Sequence, residues 1–364
     1  MDRLLEAKLK KVFGSVGSVE RILLMNTENA DPNFMYMTGF TSGLFEYSYL
    51  LLKRNSITLF TSSLEYDTAR KEAKEGMKIV KIGSAQALRK AMKDELGRHT
   101  IGLNESFIPY ALYKSIREKY APKKIIDISG AFLKARMIKD NEELEMVRKA
   151  ASITKWAMML IQKEFKEGIS ELELAAKFDS ISASLGSAGP SFRTIVCFGE
   201  NAAYPHHFPN STRLKYGDFI LIDAGAKAEN YCSDITRTFI FGDNSKKPMD
   251  RYEKKNEMYR IVKEAQLGAI RKIKPGALGR NIHGAASKVI DTSVKGAYKG
   301  RFIHSLGHSI GVEVHDGEGF SPKSKLVLKP GMIITVEPGI YIPGFGGVRI
   351  EDDVLVTKNG ALVL

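Results

Sequence analysis

Two carboxylates close apolar runs, and each is followed by a second acid. Asp223 closes Phe219-Ile220-Leu221-Ile222, and Asp234 follows eleven residues later within GDFILIDAGAKAENYCSDITRTF. Glu337 closes Ile333-Ile334-Thr335-Val336, and Glu351 follows within VEPGIYIPGFGGVRIEDDV. A carboxylate buried at a strand end without a partner neutralises or recruits a cation. Two of them side by side on a hairpin raise each other's pKa, and divalent ions among them would remove that cost. Singly, each acid reads as a cap or turn residue. The repeated placement makes metal binding the stronger reading.

The repeat is visible by laying the chain on itself. GDFILIDAG (217–225) matches GMIITVEPG (331–339) at an offset of 114 residues, and Asp234 matches Glu351 at 117. Helix-ending Gly168 and Gly276 stand 108 apart. Residues 135–364 therefore read as two helix–helix–hairpin units about a pseudo-twofold axis. A four-residue loop at 227–230 would set Asp223 directly opposite Asp234, with Cβ atoms about 4.5–5.5 Å apart. A hairpin centred on Gly344 would set Glu337 opposite Glu351.

Histidines gather in two places. YPHHFPN carries His206 and His207, and FIHSLGHSIGVEVHDGEG carries His304, His308 and His315. His304 and His308 have the i, i+4 spacing of a helix, but Gly307 and Gly311 argue against one and so against a zinc-binding helix pair. Val312, Glu313, Val314 and His315 alternate like a strand, which would turn Glu313 and His315 to one face. A lone histidine is more often a structural residue. Five of the seven in these two clusters shift the balance towards chemistry.

The elements that must position these residues follow from periodicity. Up to about residue 130 strands (21–26, 47–62, 78–83) alternate with helices (65–76, 85–96, 109–120), and 121–130 gives a last strand and a Gly turn. The boundary is drawn there: 1–130 as an α/β domain, 131–364 as an α+β domain. A long helix starts after Asp140-Asn141, with Leu144, Val147, Ala151, Thr154, Met158 and Ile161 along one face. A second spans 170–186, and helices near 250–273 and 279–293 precede the second hairpin.

Composition narrows the classes. The chain has 364 residues, enough for two domains. No apolar run reaches the length of a membrane span, and the start, MDRLLEAKLKKVFG, lacks the apolar core of a secretory signal. Cys197 and Cys232 are too few for a disulfide framework, so a cytoplasmic protein is expected. Lys and Arg number 55 against 42 Asp and Glu, a net charge of +13. The cations are interleaved with Glu in helix-like segments, with no nucleic-acid motif, so a solvated basic surface is expected and no nucleic-acid partner.

YPHHFPN, GDFILIDAGAKAENYCSDITRTF, HSLGHSIGVEVHD, VEPGIY and VRIEDDV resemble, in order, the motifs of the pita-bread metallopeptidases, which include prolidase, aminopeptidase P and methionine aminopeptidase. NFMYMTGF (33–40) is similar to the N-terminal domain of the prolidase and aminopeptidase P branch, the creatinase/prolidase N-terminal type. The resemblance implies metal ligands Asp223, Asp234, His308, Glu337 and Glu351, with Asp234 and Glu351 bridging two ions. It implies His206 and His315 as substrate-facing histidines, His304 and Arg349 as substrate or outer contacts, and Glu337 as proton shuttle. His207 stands where the family often has Gly and reads as an incidental neighbour.

The implied activity is hydrolysis of Xaa-Pro bonds in small peptides by a homodimer with two divalent ions per chain. Four carboxylates and one imidazole suit Mn²⁺ or Co²⁺, with Zn²⁺ or Fe²⁺ also possible. Such a pair would hold a water and lower its pKa towards neutrality for attack on the scissile carbonyl, and Glu337 would accept its proton and pass it to the leaving nitrogen. Phe45, Tyr204 and Tyr341 could line a proline pocket. The dipeptidase is favoured and aminopeptidase P is the alternative. A metal-free binding protein of the same fold is the rival from another class, and the intact ligand set argues against it.

Overall fold

A computed structural model describes residues 2–242 and 249–364. The chain divides into two compact units, Met1–Arg136 and Met137–Leu364. Among the described residues no helix is long and apolar enough to cross a membrane.

In the first unit α1 (Arg3–Phe13) precedes β1 (Arg21–Met25), α2 (Pro32–Thr38), β2 (Tyr49–Lys53) and β3 (Ser56–Thr61). Then come α3 (Tyr66–Glu72), β4 (Met77–Lys81), α4 (Ala85–Leu96), β5 (Thr100–Leu103), α5 (Tyr110–Tyr120), β6 (Lys124–Asp127) and α6 (Ser129–Met137). The six strands form one mixed sheet in the order β4-β3-β2-β1-β5-β6. Leu23, Leu51, Ile101 and Leu103 pack with Met92 and Leu96 of α4 on one face. Periodicity finds most of these elements but gives no assignment to α1, α2 or β5. The expected Gly turn at 130 is instead the first turn of α6. Asp127 Oδ1 accepts from Ser129 N at 2.9 Å, and the Ile128 carbonyl accepts from Phe132 N, so the chain is capped into a helix there.

The second unit opens with α7 (Asn141–Leu160). Asp140 and Glu143 form a reciprocal capping box, and Val147, Ala151, Thr154 and Met158 are buried along one face as the spacing predicts. The next helix, α8 (Glu171–Ser184), starts with the same device built from Ser170 and Glu173. It leads to β7 (Ile195–Phe198), β8 (Phe219–Ala224), the short β9 (Lys227–Ala228) and β10 (Tyr231–Cys232), and β11 (Ile235–Ile240). The second repeat supplies α9 (Met249–Ile270), α10 (Gly279–Thr292), β12 (Ile333–Val336), β13 (Gly339–Ile342), β14 (Gly346–Arg349), β15 (Asp352–Val356) and β16 (Ala361–Val363). Two three-stranded sheets, β11-β8-β7 and β12-β15-β16, echo each other. One core joins Ile220, Ile222 and Ile235 to Phe178 of α8, and another joins Ile334, Val336 and Val354 to Met258 and Val262 of α9.

The second hairpin has the expected register. Val336 pairs with Asp352 and Gly339 with Arg349, which sets Glu337 level with Glu351, and Gly344 turns at φ 75°. The first does not: Thr236, not Asp234, faces Asp223. Ala228 pairs with Tyr231, so the connection is the two residues Glu229-Asn230, with Glu229 at φ 55°, rather than a four-residue loop. That shorter turn moves the register by two residues. Because strand side chains alternate with period two, Asp234 becomes a diagonal neighbour of Asp223 on the same face. Gly225 permits this: a Cβ there would overlap the Ser233 carbonyl.

Candidate metal centre

The two hairpins lock edge to edge. Glu351 N donates to Thr236 O at 3.1 Å, Asp234 N to Asp353 Oδ2 at 3.1 Å, and Thr238 Oγ1 to Arg349 O at 2.9 Å. This brings Asp234, His308 and Glu351 together, with one ligand atom of each within 4.8 Å of the others. Glu337 Oε1 lies 3.7 Å from His308 Nε2. Asp223 lines the same cavity, of about 540 Å³, with Arg349 Nη2 donating to its Oδ2 at 2.6 Å.

Electrostatics leaves this arrangement unfinished. Asp223 Oδ1, Asp234 Oδ1 and Glu351 Oε1 are buried and have no hydrogen-bond partner among the described residues. Each such atom costs about 1–3 kcal/mol, more when charged. Burial raises the pKa of Asp234 and Glu351 well above the carboxylate range; Glu351 then adds to the effect on Asp234, and Glu337 to that on Glu351. Burial, with the nearby Asp223, pushes Glu337 up to about 8. His308 is driven down to about 4 by burial, then by His315. Its 3.4 Å approach to Asp234 is therefore that of a neutral ring, the form that ligates metal, and not an ion pair. Unpaired carboxylate oxygens converging beside a neutral imidazole fit a divalent cation.

The remaining histidines surround this cluster. The His315 ring centre stands 4.2 Å from that of His308. The stretch from Gly311 to His315 is a run of bends, however, not the expected strand. Gly311 packs so closely on Asp316 and Lys139 that a Cβ would overlap the Asp316 carboxylate, and its N–H turns back to Glu313 O. His304 Nε2 meets Tyr341 Oη at 2.8 Å, and Arg349 Nη1 donates to the same hydroxyl at 3.0 Å. Burial, then Arg349, holds His304 at about 4. His206 is exposed and lines the cavity.

Several side chains depart from expectation. His207 is no incidental neighbour: its Nε2 meets the buried Glu171 Oε2 at 2.7 Å. Phe45 packs against Phe34 and Phe40 in the first unit's core, and Tyr204 is exposed outside the cavity lining. Cys197 and Cys232 are buried outside the ligand cluster. Thr236, Thr335 and Asp353 carry no motif of their own in the sequence, although each lies two residues from a candidate ligand and so shares its face. Thr236 Oγ1 donates to Glu351 Oε2 at 2.6 Å, and His308 N donates to Thr335 Oγ1 at 3.1 Å.

Comparison with known proteins agrees with this geometry. Residues 145–358 match metallopeptidase family M24, and residues 20–138 match the creatinase/prolidase N-terminal domain. The chain is 36% identical to an Xaa-Pro dipeptidase of Pyrococcus furiosus over 98% of its own length and 97% of the relative's. An Xaa-Pro dipeptidase structure from Bacillus anthracis superposes with a TM-score of 0.87 at 33% identity, covering 99% and 96% of the two chains. An X-Pro aminopeptidase from Thermotoga maritima gives 0.86 at 32%, covering 97% of each. With its duplicated hairpins and the carboxylate cradle between them, this chain belongs to metallopeptidase family M24 and has the pita-bread fold, preceded in sequence by a creatinase/prolidase N-terminal domain.

Proposed function

We propose that this metallopeptidase hydrolyses Xaa-Pro bonds in small peptides, with the dipeptide as its preferred substrate. The observation that carries the reading is the convergence of Asp234, His308 and Glu351, beside buried carboxylate oxygens that have no hydrogen-bond partner among the described residues. In this reading Asp223, Asp234, His308, Glu337 and Glu351 hold two divalent ions, Mn²⁺ or Co²⁺ by the oxygen-rich donor set. Bound there, the ions supply Lewis acidity and a water acidified towards neutrality. The N-terminal domain is drawn at residues 1–130 and the catalytic domain at 131–364, in a cytoplasmic homodimer.

The chain's own groups divide the remaining work. Glu337 takes up a proton and delivers it to the leaving nitrogen. His206 and His315 face the substrate and stabilise charge developing on the carbonyl oxygen. Arg349 and Tyr341 fix the His304 ring at the cavity wall. The nitrogen of an Xaa-Pro bond has no hydrogen to donate, so recognition rests on ring shape and on the carbonyl and carboxylate groups. Apolar Phe192, Ile195 and Val314, which line the same cavity as the charged residues, support this.

Aminopeptidase P activity is the second reading, favoured by the likeness to the X-Pro aminopeptidase structure. Assays of Ala-Pro and Ala-Pro-Ala with Mn²⁺, Co²⁺ and Zn²⁺ in turn separate the two. Faster hydrolysis of Ala-Pro is expected. Equal hydrolysis of the tripeptide overturns the dipeptidase preference, and no metal-dependent cleavage of either peptide overturns the function.

A further inference from the structure

Glu171 is fully buried, yet its carboxylate collects four donors. These are Phe198 N at 2.7 Å, Asn201 Nδ2 at 2.8 Å, His207 Nε2 at 2.7 Å and Asn210 N at 3.1 Å. All four belong to residues 198–210, whereas Glu171 is the first residue of α8. Backbone bonds from Glu171 N to Thr212 O and from Leu172 N to Asn210 O lay the same stretch along the helix start. Pro205 and His206 of this stretch line the cavity beside Asp223, Asp234 and His308.

His206 itself is exposed, and among the described residues no hydrogen bond fixes its ring. Its neighbour is anchored instead. The His207 side chain is only 14% exposed and the Glu171 side chain 0%. An N–H held by a buried carboxylate is a strong, charge-assisted bond. His207 N also donates to Tyr204 O at 3.0 Å, closing a turn around Pro205 and His206. Without the His207 imidazole, Glu171 keeps three donors and the surrounding fold, but the turn Tyr204–His207 loses the one side-chain hydrogen bond to Glu171 that it makes among the described residues.

We propose that His207, clamped by Glu171, is the positioning residue that sets His206 over the metal centre. The inference rests on the substrate-facing role proposed for His206. It gives a purpose to a histidine that is not part of the cavity lining and meets Glu171 instead.

The test is a double-mutant cycle on full-length, Mn²⁺-loaded enzyme with Ala-Pro. His207→Ala is expected to lower kcat about tenfold while KM stays within about twofold, as for a misplaced catalytic side chain. In a His206→Ala background the same change should cost less than about twofold, because it acts through the missing ring. His207→Gln, which retains a donor for Glu171, should recover most of the loss. On the metal-free protein, amide exchange across residues 199–210 should quicken in His207→Ala and return in His207→Gln. Equal losses in both backgrounds, a lowered melting temperature with kcat intact, or unchanged exchange overturns the proposal. If His206→Ala alone turns over like wild type, the role of His206 fails and this inference with it. If that variant is impaired but the two losses add, only the positioning role falls.

Discussion

Arg349 Nη2 donates to Asp223 Oδ2 across 2.6 Å, and the two residues come from different repeats of the fold. The same guanidinium reaches Thr236 Oγ1 and the Tyr341 hydroxyl, so one side chain ties a candidate ligand to both hairpins. The side chains of Arg349 and Asp223 are 3% and 12% exposed, which places the pair in a low dielectric. Arg349→Ala should therefore destabilise the metal-free protein by about 3–5 kcal/mol, since it leaves a buried carboxylate uncompensated. Urea unfolding in EDTA measures this. An unchanged midpoint would mean that the pair carries no weight.

Asp234 accounts for the second expectation. Its side chain joins the three-residue ligand cluster, and its backbone N–H is held by Asp353. Asp234→Asn keeps the shape but loses the charge, and turnover of Ala-Pro should fall at least about a hundredfold. Bound Mn²⁺, counted by elemental analysis, should fall in parallel. Full metal content with wild-type turnover would refute the assignment.

The pH dependence of stability follows from Glu337. Burial raises it from the ordinary 4.5 to about 8. A carboxyl raised in the folded state contributes fully to stability below its unfolded pKa, and that contribution disappears as pH climbs through the folded value. Metal-free protein should accordingly melt at falling temperature between these two values, with the raised Asp234 and Glu351 adding to the slope. Added Mn²⁺ displaces the protons and should flatten the curve. Calorimetry in EDTA and in Mn²⁺ compares the two, and parallel curves would contradict the linkage.

The thiols give a simple control. Burial raises Cys197 strongly and pushes Cys232 up to about 11. Both should resist iodoacetamide at pH 8 in the folded protein and react on unfolding. Mass spectrometry reads the labelling. Rapid native modification of Cys232 would show that the strand pair leading to Asp234 opens readily.

Helix starts are the most local features and offer the last expectation. Asp140 accepts from Glu143 N at 3.0 Å, and Glu143 returns to Asp140 N at 2.9 Å. Asp140→Ala should cost about 1 kcal/mol. Denaturant midpoints of the variant and wild type check it, and no change would make the cap redundant.

The sequence by itself determined what repeats and what is chemically distinctive. The offset between GDFILIDAG and GMIITVEPG exposes the duplication, and the acids that close its apolar runs mark the candidate carboxylate ligands. Gly344, at φ 75°, made the second hairpin's register readable, because a turn that needs positive φ is marked by its residue. The first hairpin turns at Glu229, a residue that carries no such mark, and its register therefore escaped by two positions.

Only the tertiary structure decided the contacts between distant segments. Arg349 with Asp223, Thr236 with Glu351, and Glu171 with His207 are each separated by 36 to 126 residues, and no local period links them. Strand and helix preferences act over a few neighbours, so they fix which face a side chain takes. Which partner waits on that face is set when the two repeats close edge to edge, and that closure turns scattered acids and histidines into one electrostatically unfinished cradle.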